Sequence, residues 1–271
     1  MLSKIGNTAR TIKQEAVNSL RDLKRGHLPS VEVSDEKVLA ALADTGIYIV
    51  NDFWSANQCA TAIATIDSLL DTYADHIWKD AAGADYRIFG ADRVSPVIQP
   101  FYRDPFITRI VQAYERSETI RGFTLAAKIA YKVNNLGSGG GWHRDRADAR
   151  QIKALVYLSD VDAQHGPFQY FTSSHKSSQV IKDQVVEGFD FNQNRFEDAE
   201  VDAVIRKAPE RLMTVLGKAG TLVVMDTRGI HRGKPIETGE RYALTNYYWS
   251  DMEIPPHVAS LIVPHGDLAT A

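Results

Sequence analysis

Residues 137–145 read GSGGGWHRD: four glycines and a serine, then an indole, an imidazole and alternating charges. Glycine loses more conformational freedom on folding than any other residue, so a run this loose marks backbone that must bend or approach another group closely. Directly after it, His143 and Asp145 stand two positions apart. On a strand, residues i and i+2 share a face, so this imidazole and carboxylate can grip one ion. Two histidines with one carboxylate form the facial triad that holds Fe(II) and leaves coordination positions open. The stretch therefore predicts a metal-bearing strand and requires a second histidine from elsewhere.

Around it the chain changes texture. Before Arg121, helical patterns dominate: about Asp35 to Ala43, then residues 55–77 (SANQCATAIATIDSLLDTYADHI) with Ser55 as N-cap, then about Asp104 to Ser117. GIYIVNDF (46–53) reads as a strand between the first two. After Arg121 come short β-rich runs, most bounded by Gly, Pro or Asp: FTLAAKIAYKV (123–133), IKALVYLSDV (152–161), PFQYF (167–171), AGTLVVMDT (219–227), GIHRGKPI (229–236) and RYALTNYYW (241–249). Helices first and strands later argue for an α+β fold, an antiparallel sandwich or barrel carrying helices at one end. Residues 31–271 read as one domain with a strand-rich core at about 123–250. The polar, partly helical segment 176–218 reads as an insertion or lid.

Residues 1–30 read as a basic amphipathic helix and linker. Ile5, Ile12, Ala16, Leu20 and Leu23 fall at helical spacing among Lys4, Arg10, Lys13, Arg21, Lys24 and Arg25. Such a helix packs on the body, on a second subunit of a homo-oligomer, or on a membrane surface.

The 271 residues are 44% hydrophobic and 24% charged, an ordinary globular balance, and the net charge of −3 gives no global field for nucleic acid. No apolar run approaches the ~18 residues of a membrane span, and the N-terminus lacks the apolar stretch of a signal peptide. The single cysteine, Cys59, excludes an intramolecular disulfide and a thiolate metal cluster, and fits a reducing, cytoplasmic setting.

Candidates for the second histidine separate by context. His165, His175 and His257 sit in turns or loops, and the other H-x-D pair, His265 with Asp267, lies in a tail with no strands after it. His231 differs: it follows an apolar strand and precedes the hairpin ETGE (237–240), which returns the chain to Arg241. A buried arginine is costly unless it meets an anion, and its planar fork suits a carboxylate. A metal beside a fixed guanidinium describes a receptor for a small oxo-acid. Other candidates are Lys132, before the glycine run, as a carboxylate contact, and Trp142 as a pocket wall. Arg87 and Arg93 lie in DYRIFGADRVSPVIQPFYRD (85–104), a candidate substrate wall favouring a polar or anionic ligand.

His143-x-Asp145, then His231, then Arg241 ten residues on, with GWHRD and ALVYLSDVDAQHGPFQYFTSSHK (154–176) in between, resembles the phytanoyl-CoA dioxygenase family of Fe(II)/2-oxoglutarate-dependent oxygenases. The likeness spans about Phe123 to Trp249; the first hundred residues match only in being helical. It implies a double-stranded β-helix, a cupin-like jelly-roll barrel with N-terminal helices packed on it. It also implies that His143, Asp145 and His231 ligate Fe(II) and that Arg241 clamps the C5 carboxylate of 2-oxoglutarate. O2 would take the remaining position, and 2-oxoglutarate would become succinate and CO2 as a small-molecule substrate is oxidised. In halogenases of that superfamily the carboxylate ligand is replaced by Gly or Ala, so Asp145 disfavours halogenation. Hydroxylation leads, with desaturation, ring closure and epimerisation open to the same chemistry. Two rivals need no 2-oxoglutarate: a cupin-like metal-dependent isomerase or hydrolase, and a non-catalytic jelly-roll binding module. The first has no evident need for Arg241, and open coordination beside a glycine-rich mouth argues against the second, because structural metal sites tend to be closed.

Overall fold

The computed structural model describes residues 9–14, 16–17, 20, 32–145, 150–190, 193–250 and 252–263. Local chemistry sets the helices. α1 spans Val33–Asp44, α2 spans Ala56–Thr72 and α3 spans Pro105–Glu115. At the start of α2, Ser55 Oγ accepts from Gln58 N at 3.3 Å while Gln58 Oε1 accepts from Ser55 N at 3.0 Å, a reciprocal capping box. The α2 pattern was expected to run to Ile77; it stops at Thr72, and a single 3₁₀ turn, Ala74–His76, takes over. Asp104 caps α3 through Oδ1, which accepts from Ile107 N at 3.0 Å, and Pro105 occupies the first helical position, where a missing N–H costs nothing.

Among the described residues, ten strands form two antiparallel sheets. The first contains β1 (Ile47–Val50), β2 (Trp78–Lys79), β3 (Asp85–Phe89), β4 (Ile120–Ala130), β5 (Ile152–Tyr157), β8 (Leu222–Asp226) and β10 (Glu240–Ser250), in the order β1-β8-β5-β10-β4-β3-β2. The second contains β6 (Phe168–Phe171), β7 (Leu212–Val215) and β9 (His231–Gly233), in the order β7-β6-β9. The jelly roll is thus two facing sheets, not one continuously hydrogen-bonded barrel. The segment expected to be an insertion carries helix α4 (Ser177–Val186) and helix α5 (Asp198–Lys207), and its last residues supply β7, an edge of the second sheet.

Strand alternation divides the labour of the large sheet. On β5 and β10, Ala154, Val156, Tyr242 and Leu244 face the helices and join Ile66, Leu69, Ile107 and Ile110 in one buried cluster. The alternate residues, Lys153, Leu155, Arg241, Thr245 and Tyr247, line a cavity on the other face. Register aligns them, with Thr245 opposite Leu155 and Tyr247 opposite Lys153. Deeper between the sheets, Tyr157 and Val223 of the first pack with Phe168, Tyr170 and Val215 of the second. The helices therefore stabilise the sheet from behind and leave its inner face free for polar groups.

Ile66 on α2 is fully buried in the helix-side cluster. Ile66→Ala should cost roughly 2–5 kcal/mol of unfolding free energy while leaving the inner face intact. Urea denaturation should show the loss, and metal content of the purified variant should match wild type.

Candidate metal centre

The glycine run delivers the first two candidate ligands. Gly139 has φ of +89°, open to glycine at little cost, and a Cβ there would run into Cε1 of His143. The loop backbone thus lies flat against the imidazole. After it, His143 joins the second sheet: its N–H donates to the His231 carbonyl at 2.9 Å, and the His231 N–H returns a bond to the His143 carbonyl at 2.9 Å. Arg144 N bonds the Asn194 carbonyl at 2.9 Å and Asp145 N the Thr227 carbonyl at 3.0 Å. Two histidines far apart in sequence become a directly opposed cross-strand pair, with ring centroids 4.3 Å apart.

Each imidazole is turned by a backbone carbonyl. His143 Nδ1 lies 2.9 Å from the Gly141 carbonyl and His231 Nδ1 lies 2.8 Å from that of Gly229. A proton on Nδ1 serves these carbonyls and leaves the Nε2 lone pair free, the arrangement that orients metal-binding histidines. Both Nε2 atoms lie 3.9 Å from an Asp145 carboxylate oxygen, and one donor atom from each residue falls within 4.8 Å of the others. Donors bound to one ion at about 2.1 Å sit roughly 3 to 4 Å apart, so little tightening would close this set on a metal. The imidazole and carboxylate donors suit a borderline divalent cation, with three protein ligands and further positions open.

Electrostatics keeps the set ready. Burial, reinforced by the neighbouring His231, pushes His143 down to about 3, and burial also lowers His231, so both rings are neutral near pH 7. Burial alone would raise Asp145, but the Lys153 charge and contact outweigh it and hold the carboxylate below its usual range. Lys153 Nζ sits 2.6 Å from Asp145 Oδ2 and 3.7 Å from the centroid of the Tyr247 ring. This lysine escaped the sequence reading. The available signal was a lysine in the apolar strand IKALVYL, in phase with inward-facing Leu155 and Tyr157.

A cavity of about 520 Å³ opens from the centre, lined by Trp78, Arg87, Leu155, Phe168, Arg195 and Arg241 among others. Arg241 is 3% exposed. Its Nη1 donates to the Gly166 carbonyl, and no carboxylate among the described residues pairs with it; its Nε has no hydrogen-bond partner there either. Burial lowers its pKa and outweighs the opposing influence of Tyr157 and Asp85. Arg87 also lines it, with Nη2 2.6 Å from Asp85 Oδ2 and 3.3 Å from Ser138 Oγ, and its guanidinium 4.8 Å from the centroid of the Trp78 ring.

The other candidates fall elsewhere. Trp142 is buried with Phe171, Phe196 and Ile230 behind the metal strand, with Arg232 stacked 4.2 Å from its ring centroid. Arg93 donates to the Gly122 carbonyl at 3.3 Å and borders a separate cleft with Tyr102 and Arg121. Lys132 is exposed, beyond the end of β4. His165 pairs with Asp162 at 2.7 Å, His175 approaches the Ala43 carbonyl at 3.3 Å, and His257 lies in the short helix Pro256–Ala259. The second H-x-D pair, His265 and Asp267, lies outside the described residues.

Two neutral imidazoles and a carboxylate converging between the sheets of a jelly roll, with the Arg241 guanidinium on the same cavity wall, make a candidate metal site on a cupin-like fold. The chain belongs to the phytanoyl-CoA dioxygenase (PhyH) family, whose sequence profile matches residues 42–243. No curated protein matches it by sequence. Among solved structures it is similar to the epimerase SnoN in complex with Fe3+, alpha ketoglutarate and nogalamycin RO, at 18% identity and a TM-score of 0.62, covering 88% of this chain and 92% of that one. EctD from S. alaskensis with bound Fe aligns at 16% identity and TM-score 0.60 over 83% and 80% of the two chains. HygX from Streptomyces hygroscopicus with nickel and 2-oxoglutarate aligns at 14% and 0.57 over 82% and 89%. At such identities the likeness is one of fold. No helix among the described residues is long and apolar enough to cross a membrane.

The electrostatics predicts a pH response of the metal-free protein. Unfolded His143 takes up a proton near 6.5, whereas the native ring refuses it until about 3. A depressed native pKa means that stability is complete above the unfolded value and is lost as pH falls through the interval between the two. The unfolding midpoint should therefore drop across that window, and the slope should be shallower in His143→Gln. Equal slopes in calorimetry of the two proteins would assign the response to other groups.

Proposed function

We propose that the protein is an Fe(II)- and 2-oxoglutarate-dependent oxygenase that hydroxylates a small polar or anionic molecule. The observation that carries this reading is Arg241: a buried guanidinium with no carboxylate partner among the described residues, on the cavity wall shared with His143, Asp145 and His231. A metal-dependent isomerase or hydrolase has no evident use for that charge, while a dicarboxylate co-substrate supplies the anion it lacks.

In this reading His143 and His231 present Nε2 to the iron and Asp145 presents one carboxylate oxygen. When bound, iron and 2-oxoglutarate supply O2 activation coupled to decarboxylation to succinate and CO2. The rest is done by the chain. Arg241 binds the distal carboxylate and so orients the co-substrate. Lys153 holds Asp145 Oδ2, so that the carboxylate engages metal through its other oxygen and leaves positions open. Leu155, Phe168 and Met225 give the cavity an apolar wall that excludes water, which strengthens every charge interaction inside it. Arg87 and Arg195, with Asp80 and Asp85 on the same lining, favour a polar substrate. Retention of Asp145 argues against halide binding. Similarly folded enzymes are described as an epimerase and a carbocyclase, so products should be assayed for hydroxylation first and rearrangement second.

The direct test is anaerobic addition of Fe(II) and then 2-oxoglutarate. A weak visible charge-transfer band should appear. Arg241→Ala should keep its iron yet need on the order of 100-fold more 2-oxoglutarate for the same band, the loss expected for truncating one partner of a buried charge pair. Asp145→Ala should lose iron and turnover together. Iron binding without any band in wild type would favour the isomerase or hydrolase reading.

Lys153 gives a separate prediction. Removing one member of a buried ion pair costs roughly 3 kcal/mol or more because the other charge is left uncompensated. Lys153→Met should therefore destabilise the metal-free protein, and Fe(II) should restore much of the loss by replacing the missing counter-charge. The rise in Tm on adding Fe(II) should be larger in the variant than in wild type; equal rises would remove Lys153 from the ligand's surroundings.

A further inference from the structure

Residues 9–14, 16–17 and 20 are helical. At about 100° per residue, Ala9, Ile12, Ala16 and Leu20 fall within an arc of about 80°, with Thr11 and Gln14 on the opposite side. A surface helix normally docks through its apolar stripe. Here the docking is inverted. Thr11 is 4% exposed and its Oγ1 donates to Gln184 Oε1 on α4 at 2.8 Å. Gln14 is half-buried beside it, whereas Ala9, Ile12, Ala16, Val17 and Leu20 are all exposed, Ile12 by 54% and Leu20 by 58%. On α4 the two residues after Gln184, Val185 and Val186, are exposed as well, by 55% and 54%. Leaving these side chains in water forgoes the stabilisation that burial brings, about 1.5–3 kcal/mol for each fully buried aliphatic side chain.

Charge identifies what covers the stripe. Arg10 and Lys13 are exposed on one flank of it. Residues 1–25 hold six Lys or Arg against two Asp or Glu, a surplus of +4 on a chain whose total is −3, so the remainder carries −7. A second copy of the stripe would bring two such cationic segments together at the cost of mutual repulsion. An anionic bilayer satisfies both features at once, with the apolar stripe entering the headgroup boundary and the basic flank meeting lipid phosphates. We propose that this helix is a peripheral membrane-docking element, which lays the Ile12 to Leu20 stripe into an anionic phospholipid surface while its Thr11 face stays anchored to α4.

The test is co-sedimentation of the full chain with phosphatidylcholine vesicles, with and without phosphatidylglycerol, at low and high salt. Binding should require phosphatidylglycerol and weaken with salt. Arg10→Gln with Lys13→Gln should weaken it roughly 30-fold, and Ile12→Asp with Leu20→Asp should abolish it, both with the Fe(II)/2-oxoglutarate band and Tm retained. Three outcomes overturn the proposal: no binding to anionic vesicles, equal binding to phosphatidylcholine alone, or binding indifferent to Ile12 and Leu20. A dimer in light scattering that the Ile12/Leu20 variant dissolves, without vesicle binding, would assign the stripe to a second copy instead.

Discussion

The reciprocal hydrogen bonds between the backbones of His143 and His231 are the constraint on which the site depends. They place two imidazoles from distant parts of the chain side by side and fix which faces the intervening residues occupy. Because the pairing is backbone to backbone, side-chain identity at the site does not have to provide the geometry; the sheet does. The glycine loop is its complement, since backbone pressed against the His143 ring leaves no room for a Cβ at Gly139.

From that pairing, alternation distributes chemistry to the two sides of a single strand. His143 and Asp145 look into the cavity; Trp142 and Arg144 look away. Trp142 enters an aromatic cluster with Phe171, Phe189 and Phe196. Arg144 pairs with Asp183 of α4 at 3.3 Å, both side chains buried, and donates to the Ser174 carbonyl at 3.3 Å. The metal strand is thus strapped to a helix behind it, while its front carries the donors. Inside the cavity the cationic groups are held differently. Lys153 is neutralised by Asp145 and Arg87 by Asp85, which leaves Arg241 as the buried cation without a carboxylate partner among the described residues. An unpaired buried charge is expensive, and a protein keeps one where a ligand will complete it.

Much of this was legible in one dimension, for definable reasons. The H-x-D spacing marked His143 and Asp145 as a same-face pair because period two is a local rule. Ser55 as N-cap was legible for the same reason. The hairpin expected between His231 and Arg241 did not form, since β9 pairs with β6 in one sheet while β10 pairs with β4 and β5 in the other. Lys153 was missed because a lysine inside an apolar strand reads as a surface residue until its partner is known. β7 was missed because LMTV (212–215) follows a strongly helical, polar stretch and has only four residues, too few to show a period. Trp142 could have been placed, since the alternation that brings His143 and Asp145 together sends the residue before them to the other face.

The sequence by itself determined the class of fold, the family, and the spacings that make His143, Asp145, His231 and Arg241 the candidate site. These follow from residue type and local spacing. Only the tertiary structure decided that Arg241 lacks a carboxylate partner among the described residues, that Lys153 is the counter-charge of Asp145, and that the N-terminal helix meets the body through Thr11 with its apolar side outward. Each of those depends on which groups from distant segments come within a few ångströms, and on how far water is excluded around them, and no local pattern encodes either.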